Sequence, residues 1–471
     1  MSSYDYDFND DLSQSDDNHI EEEIDACKNL IENNLIFGAI DRIEDIIILC
    51  IDNGYTNDGL YFVDFLLEIS PYNSEYWAKK GLLLNTSGNH EEALESFNKA
   101  LSLNPGDTDT LIEKSAVEEN LGYYAQAEET LYSVLNNDPD NEDALYSLGV
   151  LNQRQERFDL AVYYFEKVIN LDSEYTEAYY ELGYCYENLE NYHKALEAYD
   201  RFLGLDPYNP NGWYNRGIVL SKINRPEQAL NSYDLAVSLK EDFVNAWFNK
   251  GNLLAELGRT KEALDSFKKA YQIDNFDEST CFNLGNLYEE LDDYINAIKF
   301  YSEAIRIDDE YYEAYLSRGY CYDTTGKYHL ALKDFNKAIE LSSENVEAWY
   351  AKADLEYSLG QLEESVKSYK SALKLTPESH QLWFNLAETY FEMGKWLEAL
   401  KSFDECLRIY PEDATSMYGK AKVNFLLSRT HEAINCLKSA FRIDPRIEDE
   451  FTAEYPDIKS SKLFKKLLGE N

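Results

Sequence analysis

The stretch Trp247 to Asp277, WFNKGNLLAELGRTKEALDSFKKAYQIDNFD, decides the fold, because its pattern returns at one fixed interval on both sides. Within it Gly251, Ala263, Phe267 and Ala270 are answered one interval later by Gly285, Ala297, Tyr301 and Ala304. Working outward, units begin at 74, 108, 142, 176, 210, 244, 278, 312, 346, 380 and 414, eleven units over residues 74–447. The eighth position is small in every unit: Gly81, Ser115, Gly149, Gly183, Gly217, Gly251, Gly285, Gly319, Ala353, Ala387 and Ala421. The twentieth is Ala throughout except for Ser365. Small residues in the middle of two neighbouring helices let their backbones approach while large residues fill the surrounding space at interior density. Each unit is therefore predicted as a helical hairpin. Between its two helices stand Gly88, Gly122, Gly258, Gly326, Gly360, Gly394, Asn224 and Asp292, types that tolerate the left-handed backbone after a helix. Pro105, Pro139, Pro207, Pro377, Pro411 and Pro445 end the second helix of six units.

These residues carry a resemblance to the tetratricopeptide repeat superfamily, whose signature sets Trp, Leu, Gly, Tyr, Ala, Phe, Ala and Pro at fixed offsets in a period of 34. Residues 380–413 match nearly all of it, in Trp383, Leu386, Ala387, Tyr390, Ala399, Phe403 and Pro411, with Cys406 where Ala is usual. The resemblance covers about four fifths of the chain. It implies an all-α fold: an α-solenoid of antiparallel helix hairpins stacked into a right-handed superhelix. A length of 471 residues would ordinarily suggest several domains. Unbroken self-similarity points instead to one array in which each unit buries surface against its neighbours, and the 39 tyrosines suit repeats that use aromatics for packing and contact.

The flanks differ from the array. Residues 1–25 hold ten acids and no Lys or Arg, a composition that cannot bury enough apolar surface to order itself. Residues 1–19 are expected to be an acidic disordered tail. From Ile20, the residues Ile20, Ile24, Cys27 and Ile31 share a helical face, so a capping helix is expected, followed by a degenerate repeat to residue 73 marked by Gly59 and Pro71. Residues 448–471 are expected to form a closing cap, with Leu463, Phe464, Leu467 and Leu468 on one side.

A net charge of −46, from 43 bases against 89 acids, opposes binding to nucleic acid or an anionic membrane. No apolar run approaches membrane-spanning length and no secretory signal is visible. Seven cysteines form no CxxC pair, which fits a reducing compartment and a cytoplasmic location. Catalysis finds no support. His90, His193, His329 and His431 recur at the hairpin turns of separate repeats and do not converge, as metal ligands must. Cys185 and Cys321 read as small packing residues, and no phosphate loop, HExxH or nucleophile elbow occurs. No enzyme activity, metal or cofactor is expected.

Function is therefore sought on the surface of the stack. In the family that these repeats resemble, the first helix of each hairpin lines a concave groove through positions 2, 5, 9, 12 and 13, with 6 adjoining. Carried over by offset, position 5 places Tyr146, Tyr180, Tyr214, Phe248, Phe282, Leu316, Tyr350, Phe384 and Tyr418 there. Position 6 adds Asn215, Asn249, Asn283 and Asn385, and position 9 adds Asn252 and Asn286. An Asn side chain both donates and accepts, so such a ladder can hold the backbone of an extended peptide. The run FNLGN at 282–286 is similar to repeats of the O-linked N-acetylglucosamine transferase, whose superhelix uses an asparagine ladder; that enzyme's catalytic domain is absent here. Over the six groove positions the eleven units carry 17 acids, among them Glu181, Glu187, Glu289, Glu290, Asp323, Asp354 and Glu388, against four bases, Lys79, Arg154, Lys222 and Lys422. That balance opposes a carboxylate clamp for acidic tails. The expected function is a scaffold or adaptor that binds extended or helical protein segments, neutral or basic; the alternatives are an assembly subunit that uses its ends or convex face, or an accessory subunit of an enzyme.

Overall fold

In the computed structural model the chain is described over residues 10–33 and 39–455, with side chains from His19 onward. First helices begin at 74, 108, 142, 176, 210, 244, 278, 312, 346, 380 and 414, and each is followed by a second helix, as Val244–Glu256 is by Thr260–Ile273. Each hairpin is made by the same local chemistry. Asn73, Asn141, Asn209, Asp277, Asn345, Ser379 and Asp413 cap first helices by accepting hydrogen bonds from backbone N–H groups of the opening turn, groups that otherwise lack a partner. The fifteenth residue then turns the chain with φ between 56° and 78° in all eleven repeats. Gly occupies it six times; Glu156, Glu190, Asn224, Asp292 and Ser428 take the same conformation at the other five.

Packing follows from the small eighth residue. A Cβ added at Gly149 or Gly285 would lie 2.5 Å from the ring of Phe165 or Tyr301 on the second helix. The ring occupies the space a side chain would need, and the twenty-fourth-position rings of Phe97, Phe165, Tyr199, Phe267, Tyr301, Phe335, Tyr369 and Phe403 are fully buried. Each such ring contributes on the order of 1.5–3 kcal/mol by leaving water. The signature Trp has a separate role. The indole N–H groups of Trp77, Trp213, Trp349 and Trp383 donate to the carbonyls of Pro71, Pro207, Ser343 and Pro377 at 2.8–3.0 Å, fastening each first helix to the turn before it.

By contacts the chain divides into two units, 1–241 and 242–471. The first opens with a helix over Asp10–Glu32, so helix begins at Asp10, inside the segment for which a tail to residue 19 was expected; residues 1–9 lie outside the described residues. Its face of Ile20, Ile24 and Cys27 covers a hairpin made by Ile40–Asp52 and Thr56–Ile69. There Gly59 stands at the position that is Ala in most repeats, and here even a Cβ would meet Leu83 at 2.7 Å. In the second unit the last hairpin is followed by a short helix, Arg446–Glu454, whose Ile447 and Phe451 pack on Tyr418, Leu437 and Phe441. The expected apolar run Leu463 to Leu468 lies outside the described residues. No strand occurs among the described residues.

Candidate functional site

The fifth-position aromatics stand half-buried on the first-helix face, each against the buried ring of its own hairpin. Centroid separations are 5.6 Å for Tyr146 and Phe165, 6.0 Å for Tyr180 and Tyr199, 6.2 Å for Tyr214 and Tyr233, and 5.5 Å for Phe248 and Phe267. Phe282 lies 5.6 Å from Tyr301, Tyr350 6.3 Å from Tyr369 and Phe384 6.0 Å from Phe403. These tilted and edge contacts are favourable in themselves, so the rings both complete the hairpin and expose part of their faces. Leu316 and Tyr418 are buried.

The asparagines are tied into the same face. Asn215 donates to the Tyr180 hydroxyl of the preceding hairpin at 3.0 Å, and Asn385 to that of Tyr350 at 3.4 Å. Asn283 donates to the Asn252 carbonyl oxygen at 3.3 Å, while Asn286 accepts from the Tyr301 hydroxyl at 2.8 Å. Asn249 also has polar partners. Each of these bonds takes up only part of an amide's capacity. Within each unit the bonds of Asn215, Asn283 and Asn385 join a hairpin to the one before it, and the amides keep further donors and acceptors.

Burial sets the electrostatics. Glu113, Glu181, Glu187 and Glu388 all have their carboxyls pushed above the usual range by loss of water, and Asp323 is raised by burial and then by the neighbouring Asp354. The few bases on the face are matched: Arg154 lies 3.2 Å from Glu119, Lys79 2.9 Å from Glu75 and Lys422 4.0 Å from Glu454. Lys222 sits near enough to Glu187 to favour its ionised form.

The residues set aside as catalytic candidates occupy structural places. Cys185 and Cys321 are fully buried and burial pushes their thiols up to about 12, so they are protonated and unreactive at neutral pH. Among the described residues, His380 is the histidine with both a carboxylate and a hydroxyl at hand. Its Nε2 lies 2.9 Å from Asp413 and 3.5 Å from Ser416. A nucleophile relay needs those two groups on opposite ring nitrogens; here one nitrogen faces both, and Asp413 is engaged in capping the next helix. Among the described residues no group of three or more His, Cys, Asp or Glu is placed to hold a metal ion, and no helix is long and apolar enough to cross a membrane.

Sequence reading missed a clasp at the seventh position. Lys80, Arg216 and Lys420 reach Asp64, Asp200 and Asp404 of the preceding hairpin at 2.7, 2.6 and 2.5 Å. Its signal was an acid followed by a base at one fixed offset, as Asp64 precedes Lys80 and Asp200 precedes Arg216.

A stack of helical hairpins with a continuous polar and aromatic first-helix face within each unit is an α-solenoid, a fold that typically serves as a non-catalytic scaffold for protein–protein interaction. This chain belongs to the tetratricopeptide repeat family. Family models described as tetratricopeptide repeat match residues 74–107, 117–175, 153–210, 214–278, 278–311, 312–345 and 378–446, and one described as TPR repeat matches 353–394. They do not single out the repeats of the O-linked N-acetylglucosamine transferase. No curated protein sequence matches the chain. Similar solved structures include YrrB, described as a TPR protein with an unusual peptide-binding site, at 24% identity over 40% of this chain and 96% of that one, with a TM-score of 0.37. A tetratricopeptide repeat protein from Parabacteroides merdae matches at 21% identity over 55% of this chain and 98% of that one, with a TM-score of 0.39. The APC/C hetero-tetramer Cut9-Hcn1 matches at 14% identity over 88% and 95%, with a TM-score of 0.38.

Proposed function

We propose that this protein is a non-enzymatic scaffold or adaptor whose first-helix face is a groove for extended or helical segments of other proteins, neutral or basic in charge. The observation that carries the reading is the recurrence along the first helices of half-buried rings, amides with spare hydrogen-bonding capacity and partly buried carboxylates, all three together in the hairpins that begin at 278 and 380. Rings give contact area, amides pair with a peptide backbone whatever its sequence, and carboxylates steer and select cationic groups. The raised carboxyls of Glu181, Glu187 and Glu388 support a basic guest, since a cation that approaches them offsets the cost of their burial. No nucleic acid, membrane or cofactor enters this mechanism.

The test is crosslinking with mass spectrometry on protein purified from its native cell, comparing the parent with a variant in which Asn249, Asn252, Asn283 and Asn286 are all Ala. Partner crosslinks in the first helices that disappear in the variant, at unchanged helicity, support the groove. Partner crosslinks that survive the fourfold change, or that fall only at the ends of the chain, sink it in favour of an assembly subunit.

A further inference from the structure

One repeat has neither ring of the pair. In the hairpin of residues 108–141 the fifth position is Ile112 and the twenty-fourth Leu131, where most other repeats have aromatics. A cavity of about 260 Å³ opens there, between the first helices Thr108–Asn120 and Glu142–Arg154, walled by Ile112, Ala116, Leu131, Val150 and Leu151, with Tyr146 at its side. The last hairpin also has Leu at the twenty-fourth position, Leu437, and there too a space stays open, about 350 Å³, lined by Tyr418, Leu437 and by Phe451 of the following helix. That space is lined by Lys422 and no carboxylate, whereas Glu113 and Glu119 line the one beside Leu131.

The mouth of this cavity is acidic and incompletely satisfied. Glu113 has neither a hydrogen bond nor an ion pair among the described residues, and burial raises its carboxyl. Glu119 Oε1 is sealed from water and is met by Arg154 Nη1 at 3.2 Å, a side chain that also lines the cavity and lies mostly in solvent. A buried carboxylate held by one ion pair at its edge keeps capacity for further donors. The cavity is smaller than the roughly 300–1,000 Å³ of small-molecule sites and is of the size of one large side chain. A side chain with an apolar stem and a cationic head would fill the walls and reach both carboxylates.

We propose that the cavity beside Leu131 binds an arginine or lysine side chain presented by a partner segment, with Glu113 and Glu119 taking its charged head. The proposal rests on the groove reading and names what one place in the groove selects. It is tested on the full chain carrying labelled Ile, Leu and Val methyl groups, titrated with capped pentapeptides of glycine around a single arginine, norleucine or glutamate. The arginine peptide is expected to shift the methyl signals of Ile112, Leu131 and Val150, and the glutamate peptide to leave them still. Glu113→Gln with Glu119→Gln should weaken the arginine peptide about tenfold and leave the norleucine peptide unaffected. Leu131→Phe, which restores the ring of the other repeats, should abolish the shifts. Equal shifts from norleucine and arginine, no shifts at all, or a double Gln variant that binds arginine unchanged would each overturn it. Because Asn249, Asn252, Asn283 and Asn286 lie in other repeats, loss of partner crosslinks in their variant alongside an unresponsive cavity would remove this site and leave the groove standing.

Discussion

Arg318→Met is expected to destabilise the second unit by about 3–5 kcal/mol, the range for removing one partner of a buried ion pair. The Arg318 guanidinium meets Asp334 in two parallel bonds, Nε to Oδ2 at 2.7 Å and Nη2 to Oδ1 at 2.9 Å, and its Nη1 donates to the Ser302 hydroxyl at 3.0 Å. The two side chains keep only 16% and 5% of their exposure. Substitution by Met therefore strands the Asp334 carboxylate away from water with no cation. Most of the loss comes from that stranded charge, so Arg318→Met with Asp334→Leu should recover all but about 1–2 kcal/mol. The chain supplies a sharper comparison of its own. Arg216, also at a seventh position, takes its carboxylate from Asp200 of the preceding hairpin at 2.6 Å and its hydroxyl from Ser232 of its own at 2.8 Å. Arg318 makes the opposite choice. Exchanging its partners, Ser302→Asp with Asp334→Ser, keeps one carboxylate and one hydroxyl beside the guanidinium. Because the two sites are coupled through Arg318, the double variant should fall within about 1 kcal/mol of the parent although Asp334→Ser alone does not. Urea unfolding followed by circular dichroism measures the loss, and hydrogen exchange over residues 294–341 locates it. The reasoning fails if Arg318→Met costs under about 1 kcal/mol, if the Met/Leu pair is no better than Met alone, or if the exchanged pair is as unstable as Asp334→Ser.

Two further predictions concern the turns and the acids. Glu156→Gly and Glu190→Gly should each stabilise the chain by about 1 kcal/mol, read as a raised Tm, because φ near 57° costs an L-residue roughly 1–2 kcal/mol that Gly avoids. Gly258→Ala should lose about 1 kcal/mol in the same assay; a Cβ there meets nothing within 4 Å, so only the backbone is at stake. Acidification from neutrality should raise Tm before it lowers it. Glu113, Glu119, Glu181, Glu187, Glu356 and Glu388 have carboxyls raised by burial, so the folded chain holds more protons than the unfolded one. Their contribution grows as pH falls through the raised values and is complete below the unfolded value of about 4.3. Asp413, where burial is outweighed by hydrogen bonds from Ser416 and Thr415 that hold the carboxyl low, works in the opposite sense and is lost only as pH falls through its lowered value. A Tm that falls steadily from neutral pH would refute this.

How much of the fold was legible differs from feature to feature. The helix starts were, because a register of small residues at the repeat interval fixes which positions face the partner helix. The left-handed turns were legible at Gly258 or Asn224 and not at Glu156, Glu190 or Ser428, since those residue types carry no preference for that backbone and are forced into it by the hairpins on either side. Of the groove, the rings and asparagines could be placed by offset. Their mutual bonds could not: that Asn215 reaches Tyr180 and Asn283 reaches Asn252 depends on how one hairpin is set against the next.

The sequence by itself determined the repeat, the all-helical class and the acidity of the first-helix face, because each of these is carried by residue type at a fixed interval. Only the tertiary structure decided which carboxylates are starved of water, which arginine takes its acid from its own hairpin and which from the one before, and where a missing ring leaves a cavity. Those depend on distances between helices that the repeat interval sets only approximately, and a small difference in that spacing separates a filled core from an open site.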